Sequence, residues 1–180
     1  MDMKRLQTLL LGALAVMVIT SCGASYQENK AQRAAAKAAE RAAIVQALEN
    51  ADFILEVTQI IPHGYPSRIS SGEYQLRLKD NVVNTRLPFI GTSHEAQFGG
   101  VDELSIVFDN EKVQLVKDMS QVASKGEYLY QFKGGKGKDV WTVTLQVFDN
   151  GSASINCSTT GGKFMNYYAN LVLPTNEDNR

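Results

Sequence analysis

Residues 141–148 read WTVTLQVF and residues 152–159 read SASINCST, and these two runs decide the fold class. In the first run large apolar residues alternate with Thr and Gln, and in the second small or apolar residues alternate with Ser and Asn. Successive side chains on a strand point to opposite faces, so each run predicts an antiparallel strand with one buried face. Between them, Asp149-Asn150-Gly151 is typical of a tight hairpin turn.

The same alternation extends to both sides of these runs. Asp80-Asn81 and Asp109-Asn110 separate further strand-like segments, and Gly-rich segments at 134–138 and 160–163 predict longer loops. Neighbouring strands with short connections form a meander, and open edges invite aggregation. We therefore expect a mainly β fold that closes into a small lipocalin-like up-and-down barrel, with a β-sandwich as the alternative. The predicted strands lie near 53–61, 72–79, 82–88, 104–109, 111–117, 127–133, 139–148, 152–159 and 164–173.

An alanine-rich segment precedes the strands. Residues 26–50 contain no Gly or Pro, and this composition predicts a helix. Lys30, Arg33, Lys37 and Arg41 recur at spacings of three and four, so they line one helical face. This basic stripe either rests against anionic lipid headgroups or belongs to a solvated spacer helix, and we favour the spacer.

The N-terminus resembles a bacterial export signal. Lys4 and Arg5 precede an apolar run over residues 6–19, which is short for a membrane span. Ile19-Thr20-Ser21-Cys22 then matches the lipobox pattern of an aliphatic residue, two small residues and a cysteine. We expect cleavage before Cys22 and lipid attachment to its thiol. An ordinary cleavable signal and a retained membrane anchor are the alternatives.

These segments predict the domain organisation. Residues 1–21 form a signal peptide, 22–50 a lipidated N-terminus with a helical tether, 51–175 a β domain and 176–180 a polar tail. Gly23, not Asp, follows the cysteine, which favours the outer membrane over retention at the inner membrane. The expected location is therefore a lipid anchor on the periplasmic side of the outer membrane.

Charge and cysteine content argue against a nucleic-acid-binding protein and against a domain stabilised by disulfides. The chain has 180 residues and a net charge of −1, so it offers no electrostatic case for nucleic-acid binding. With Cys22 lipidated, Cys157 is alone and cannot form an internal disulfide. Cys157 is in phase with apolar Ile155, so we interpret it as a core residue and not as a nucleophile.

The sequence carries no catalytic signature. His63 and His94 are its only histidines, and their spacing does not indicate a zinc site. Neither a nucleophile elbow nor a phosphate-binding loop is present. Adjacent Asp102 and Glu103 would point to opposite faces of a strand. We therefore expect no metal, no cofactor and no enzymatic activity.

One apolar stretch, residues 85–91, invites a functional interpretation. Pro88 ends a strand ladder or marks an edge, and Gly91 permits a sharp bend. Arg86 and Phe89 could contact a ligand at the mouth of the barrel. The alternative, which we favour, is a structural corner in which Pro88 and Gly91 turn the chain and Phe89 plugs one end of the core.

Leu87-Pro88-Phe89-Ile90-Gly91 resembles the Leu-Pro-Tyr-Phe-Gly signature of uncharacterised lipoproteins of the Bacteroides group, the domain-of-unknown-function family 4251. This chain differs from the signature at Phe89 and Ile90. The similarity continues in the strand pair from Tyr74 to Val82, in Gly151-Ser152-Ala153 and in the aromatic pair Tyr167-Tyr168. The resemblance implies a β-rich lipoprotein of unknown role and supplies no catalytic residue.

Three functions therefore stay open. The leading hypothesis is a membrane-anchored, non-enzymatic binding or structural module of the cell envelope, with an envelope protein as its partner. A hollow barrel would favour a carrier of a small hydrophobic ligand, because an eight-stranded barrel has room for one. A hydrolase with an unrecognised site is the third possibility, and it requires a pocket that holds a histidine beside a carboxylate.

Overall fold

A computed structural model describes residues 21–90, 105–136 and 139–173 and confirms a mainly β protein with an N-terminal helix. No helix in these ranges is long and apolar enough to cross a membrane. The described residues form α1 (Ser21–Asn50), β1 (Phe53–Pro62), β2 (Arg68–Ile69), β3 (Gln75–Lys79), β4 (Val82–Pro88), β5 (Ser105–Lys112), β6 (Val116–Asp118), α2 (Val122–Lys125), β7 (Glu127–Gly134), β8 (Trp141–Phe148), β9 (Ser152–Thr159) and β10 (Phe164–Val172).

Nine of the ten described strands follow one another in a single curled antiparallel sheet, in the order β5-β4-β3-β1-β10-β9-β8-β7-β6. The short β2 pairs separately with β1. Nearly every strand therefore lies beside its neighbour in sequence, as the meander predicts. The first and last long strands also pair, from Ile54 opposite Val172 to Pro62 opposite Met165. Because of this pairing, the strands follow the order of an up-and-down barrel within one sheet. They do not divide into the two sheets of a sandwich.

The sheet is a half-barrel whose edge strands are β5 and β6. The loop after β7 reaches across to β5, where the Lys136 amide donates to the Val107 carbonyl at 2.7 Å. The Gly135 amide also donates to Glu111 Oε2 at 3.0 Å. A few loop hydrogen bonds, and no strand ladder among the described residues, thus connect the two ends of the sheet.

The predicted turn at Asp109-Asn110 is wrong. One strand, β5, runs through both residues, and the pairing with β4 shifts between Val83 and Thr85. Asn110 takes a positive φ of 49°, and its side chain accepts a hydrogen bond from Asn84 Nδ2 at 3.2 Å. An extra residue of this kind forms a β-bulge, so the chain bends without reversing.

The predicted hairpin at Asp80-Asn81 is confirmed. Lys79 pairs with Val82, and the two loop residues have φ values of 52° and 61°. Positive φ at both central positions matches the right-handed twist of the flanking strands, and Asp and Asn tolerate it better than most residues. Gly151, with φ 86°, has the corresponding role between β8 and β9.

The concave side of the sheet is filled by side chains. The alternation predicted for β8 and β9 is observed, since their apolar positions are buried while the residues between them are half-buried or exposed. Large aromatic residues occupy the centre of this core. The largest fully buried side chains include Phe53, Phe108, Tyr130, Phe132 and Tyr167.

The last turns of α1 belong to this core. The chain divides into two units at Glu40 and Arg41, so the second unit begins well before the boundary at residue 51 that composition predicts. Ile44 and Leu48, four residues apart on one face of the helix, are buried in the sheet. The Tyr130 hydroxyl donates to the Leu48 carbonyl at 2.5 Å, which satisfies a group that the end of a helix leaves unpaired.

Candidate functional site

The stretch singled out at residues 85–91 is divided between the two faces of β4. Leu87 points inward and is buried, whereas Arg86 is exposed on the outer face. Successive strand residues point in opposite directions, so Arg86 and Phe89 do not form one surface. Gly91 lies outside the described residues.

Pro88 and Phe89 make structural contacts at the end of β4. The buried Tyr167 hydroxyl donates to the Pro88 carbonyl at 2.7 Å and links β10 to the end of β4. The half-buried Phe89 ring lies against Trp141, with ring centroids 5.5 Å apart. These contacts favour the structural corner over the ligand contact, a choice that stays a prediction until variants are measured.

Arg86 instead borders a shallow groove on the outer face of β1, β3 and β4. The groove has a volume of about 360 Å³. Arg77 pairs in register with Ile54 on one side and with Asn84 on the other. Guanidinium groups, amides and one carboxylate thus border the same space, an arrangement that suits a small polar group. The groove is lined by Ile54, Glu73, Gln75, Arg77, Asn84, Thr85 and Arg86.

Of the histidine and carboxylate candidates, only His63 lies within the described ranges. His63 is exposed, and its ring stands edge-on to Phe164 with centroids 6.3 Å apart. His94, Asp102 and Glu103 lie outside the described residues. Within the ranges that the structure covers, no group of three or more His, Cys, Asp or Glu residues is placed to hold a metal ion.

Cys157 lies in the core, as its position in the alternating pattern predicts. Its register neighbours are Val143 on β8 and Met165 on β10, both buried. Burial raises the pKa of the Cys157 thiol, because a thiolate would be poorly solvated there. Burial, and to a smaller extent the neighbouring Cys157, also raises the pKa of Tyr167. Neither group is suited to nucleophilic chemistry at neutral pH.

The outer side of β8, β9 and β10, which we call the neutral face, is the surface that the sequence interpretation missed. None of the residues in these three strands is charged, although charged residues make up 21% of the chain. Phe164 and Tyr168 are exposed on this face. The signal was present in the sequence as a lack of Asp, Glu, Lys, Arg and His within residues 141–148, 152–159 and 164–173.

The architecture defines a class: a small domain with one curled antiparallel sheet, a packed interior and the end of a helix inserted into that interior. The particular family follows from the sequence. The profile described as "Domain of unknown function (DUF4251)" matches residues 35–171, and the chain belongs to this family. The resemblance carried by Leu87 to Gly91 is thereby confirmed at the level of the family.

A solved structure has the same fold. The crystal structure of a DUF4251 family protein from Bacteroides eggerthii DSM 20697 superimposes with a TM-score of 0.52. The similarity covers 77% of this chain and 91% of that protein, at 15% sequence identity. At this identity the similarity concerns the fold alone. No curated protein matches the chain.

Proposed function

We propose that this protein is a lipid-anchored component of the cell envelope with a non-enzymatic binding or structural role. The observation that carries this proposal is the order of segments at the N-terminus. The lipobox ends at Cys22, within the first turn of α1, and the chain then continues through the helix to a compact unit that begins at Arg41. This order suits a domain held by lipid on the periplasmic side of the outer membrane.

The packed core supports a surface-binding role over a carrier role. Phe53 and Tyr130 contact each other at 5.3 Å between ring centroids, and Phe108 and Phe132 at 5.5 Å. These rings occupy the space that a carrier would keep for a hydrophobic ligand. Partners such as envelope components would therefore bind on the outside of the sheet.

The environment of His63 supports a non-enzymatic role over a hydrolase. A general base must lie within hydrogen-bond reach of the proton that it removes, in a pocket that positions the substrate. His63 is exposed and packs against an aromatic ring. The Cys157 thiol is buried and its pKa is raised by that burial, so it is not suited to act as a nucleophile.

Lipidation is tested by replacing Cys22. In cells that express the full chain with labelled palmitate, we expect label in the parent protein and none in Cys22→Ala, because the thiol is the acceptor atom. We expect the variant to stay uncleaved by the lipoprotein peptidase. In detergent partitioning, any variant that is processed should be found in the aqueous phase and no longer in the detergent phase. Ser21→Ala, which keeps a small residue before the cysteine, is the matched control and should be labelled like the parent.

Incorporation of palmitate into Cys22→Ala would contradict the proposal. The membrane is tested separately by density-gradient fractionation of the parent protein, which we expect in the outer-membrane fraction. Protease added to intact cells should leave the protein uncleaved, whereas permeabilised cells should expose it. Cleavage in intact cells would place the domain on the cell surface and contradict the periplasmic side.

A further inference from the structure

The neutral face presents three rows of side chains across β8, β9 and β10. Register pairs place Gln146 beside Ser154 and Ser154 beside Tyr168, and a second row joins Thr144, Asn156 and Asn166. The third row ends at Phe164, opposite Ser158. Hydroxyl and amide groups on β8 and β9 therefore lie beside the two aromatic rings of β10, which are separated by Asn166. Charged groups lie at its rim, where Lys163 pairs with Asp139 and Gln146 donates to Glu127.

Two exposed aromatic rings stand on the last strand of this face. Phe164 is 41% exposed and Tyr168 is 54% exposed. They are four residues apart on one side of β10, which corresponds to about 13 Å along a strand. The edge of the Phe164 ring contacts His63, and the rest of the ring is open to solvent. Partly exposed aromatic rings of this kind are enriched on surfaces that another molecule covers.

An unsatisfied acceptor lies between the two rings. Asn166 is midway between Phe164 and Tyr168 on the same side of β10, and its Oδ1 has no hydrogen-bond partner among the described residues. Buried polar atoms normally find a partner in the protein, in water or in a ligand. A donor that approaches the face between the rings would supply the missing hydrogen bond once the amide turns toward it.

We propose that the neutral face binds an uncharged glycan chain. Sugar rings combine apolar C–H faces, which stack on Phe164 and Tyr168, with hydroxyl groups that hydrogen-bond to amides such as Asn156 and Asn166. A face without charges has nothing to attract nucleic acid, anionic lipid headgroups or charged peptides, whereas its neutral donors and acceptors match hydroxyl groups. This inference gives a ligand class to the binding role proposed above, and it rests on that role.

The test uses the full chain purified in detergent. Isothermal titration calorimetry measures binding of neutral hexasaccharides of β-linked glucose, xylose, mannose and N-acetylglucosamine, with hexagalacturonate as the anionic comparison. We expect at least one neutral oligosaccharide to bind and the anionic one not to bind. Phe164→Ala and Tyr168→Ala should each weaken binding by about tenfold or more, since each removes a stacking surface.

Two controls separate stacking from general effects. Tyr168→Phe keeps the ring and loses only the hydroxyl group. Its affinity should therefore lie within about twofold of the affinity of the parent protein, whereas loss of a ring is expected to weaken binding by about tenfold. Val116→Ala removes an apolar side chain that is 61% exposed on β6, away from the neutral face, and should leave binding unchanged. Melting temperatures of all four variants should match the parent, because each side chain is exposed.

Several results would overturn the inference. These are the absence of binding to every neutral hexasaccharide at millimolar concentration, or binding that survives both alanine substitutions. Self-association of the parent chain that Tyr168→Ala abolishes would instead identify the face as an interface between two copies. Because palmitate labelling at Cys22 does not depend on this face, failure here leaves the lipid anchor standing.

Discussion

At the residue scale, the direction of each side chain decides what the conspicuous motif at residues 85–91 does. Arg86 and Phe89 look like one contact site in the sequence, yet Arg86 points to solvent and Phe89 packs against Trp141. The carbonyl of Pro88 is held by the Tyr167 hydroxyl, so the end of β4 is anchored to β10. The contacts of Pro88 and Phe89 therefore predict a role in stability.

Phe89→Ala tests this role. Removing the ring leaves a gap beside Trp141, and we expect the free energy of unfolding to fall by about 2–3 kcal/mol, less than the cost of about 3–5 kcal/mol for a fully buried Phe. Arg86→Ala is the control and should cost about 0–1 kcal/mol, as for exposed charged groups. Urea unfolding measures both. If Phe89→Ala unfolds like the parent protein, the corner interpretation is wrong.

At the scale of elements, α1 combines two kinds of surface in one helix. Its described side chains are exposed as far as Ala42, and from Ile44 onward the helix buries one face in the domain. The change follows the sequence, because large apolar residues four apart begin at Ile44 and Leu48. A segment that composition assigns wholly to a tether therefore also supplies part of the core.

Leu48→Ala tests the contribution of the helix end. Leu48 is fully buried, so the substitution should lower the free energy of unfolding by about 2–5 kcal/mol. Lys37→Ala, on the exposed part of the same helix, should change it by no more than about 0.5 kcal/mol. Chemical denaturation followed by circular dichroism measures both. Equal stabilities of the two variants would show that the helix end does not contribute to the core.

At the scale of the whole molecule, one core is the main source of stability. Among the described residues, Arg41 near the end of α1 also forms an ion pair with Asp149. Cys157 and Tyr167 are embedded in this core as neutral groups, and burial raises the pKa of both. In the unfolded chain they titrate near their ordinary values of 9.0 and 10.0. Above these values the unfolded chain releases protons that the folded protein retains, so stability decreases as pH rises.

This linkage predicts how stability depends on pH. The contribution of the two groups is fully present below about pH 9, and each then lowers the free energy of unfolding by up to about 1.4 kcal/mol per pH unit. Urea unfolding between pH 7 and pH 11 measures the decrease. In Cys157→Ala the decrease should begin about one pH unit later, because only the tyrosines remain. A free energy that stays constant to pH 11 would contradict the prediction.

Local signals in the sequence were sufficient for much of the fold. The period of two in β8 and β9 predicts which side chains are buried, including Cys157, because the pleat alternates side chains whatever the neighbouring strand is. Asp80-Asn81 predicts its hairpin because positive φ is a property of the turn residues themselves. The helical composition of α1 and the membership of the family are also readable from the chain alone.

Tertiary structure alone decided the remaining features, because they depend on partners distant in the sequence. Asn110 has the same turn chemistry as Asn81, yet it forms a bulge because β4 continues to pair with β5 beyond it. Pairing of β1 with β10 likewise joins strands about 110 residues apart in the sequence, and within the described ranges no ladder joins β5 to β6. The lack of charge on the neutral face is visible in the sequence, but the rows that place Gln146 beside Ser154 and Ser154 beside Tyr168 are set by the register of the three strands.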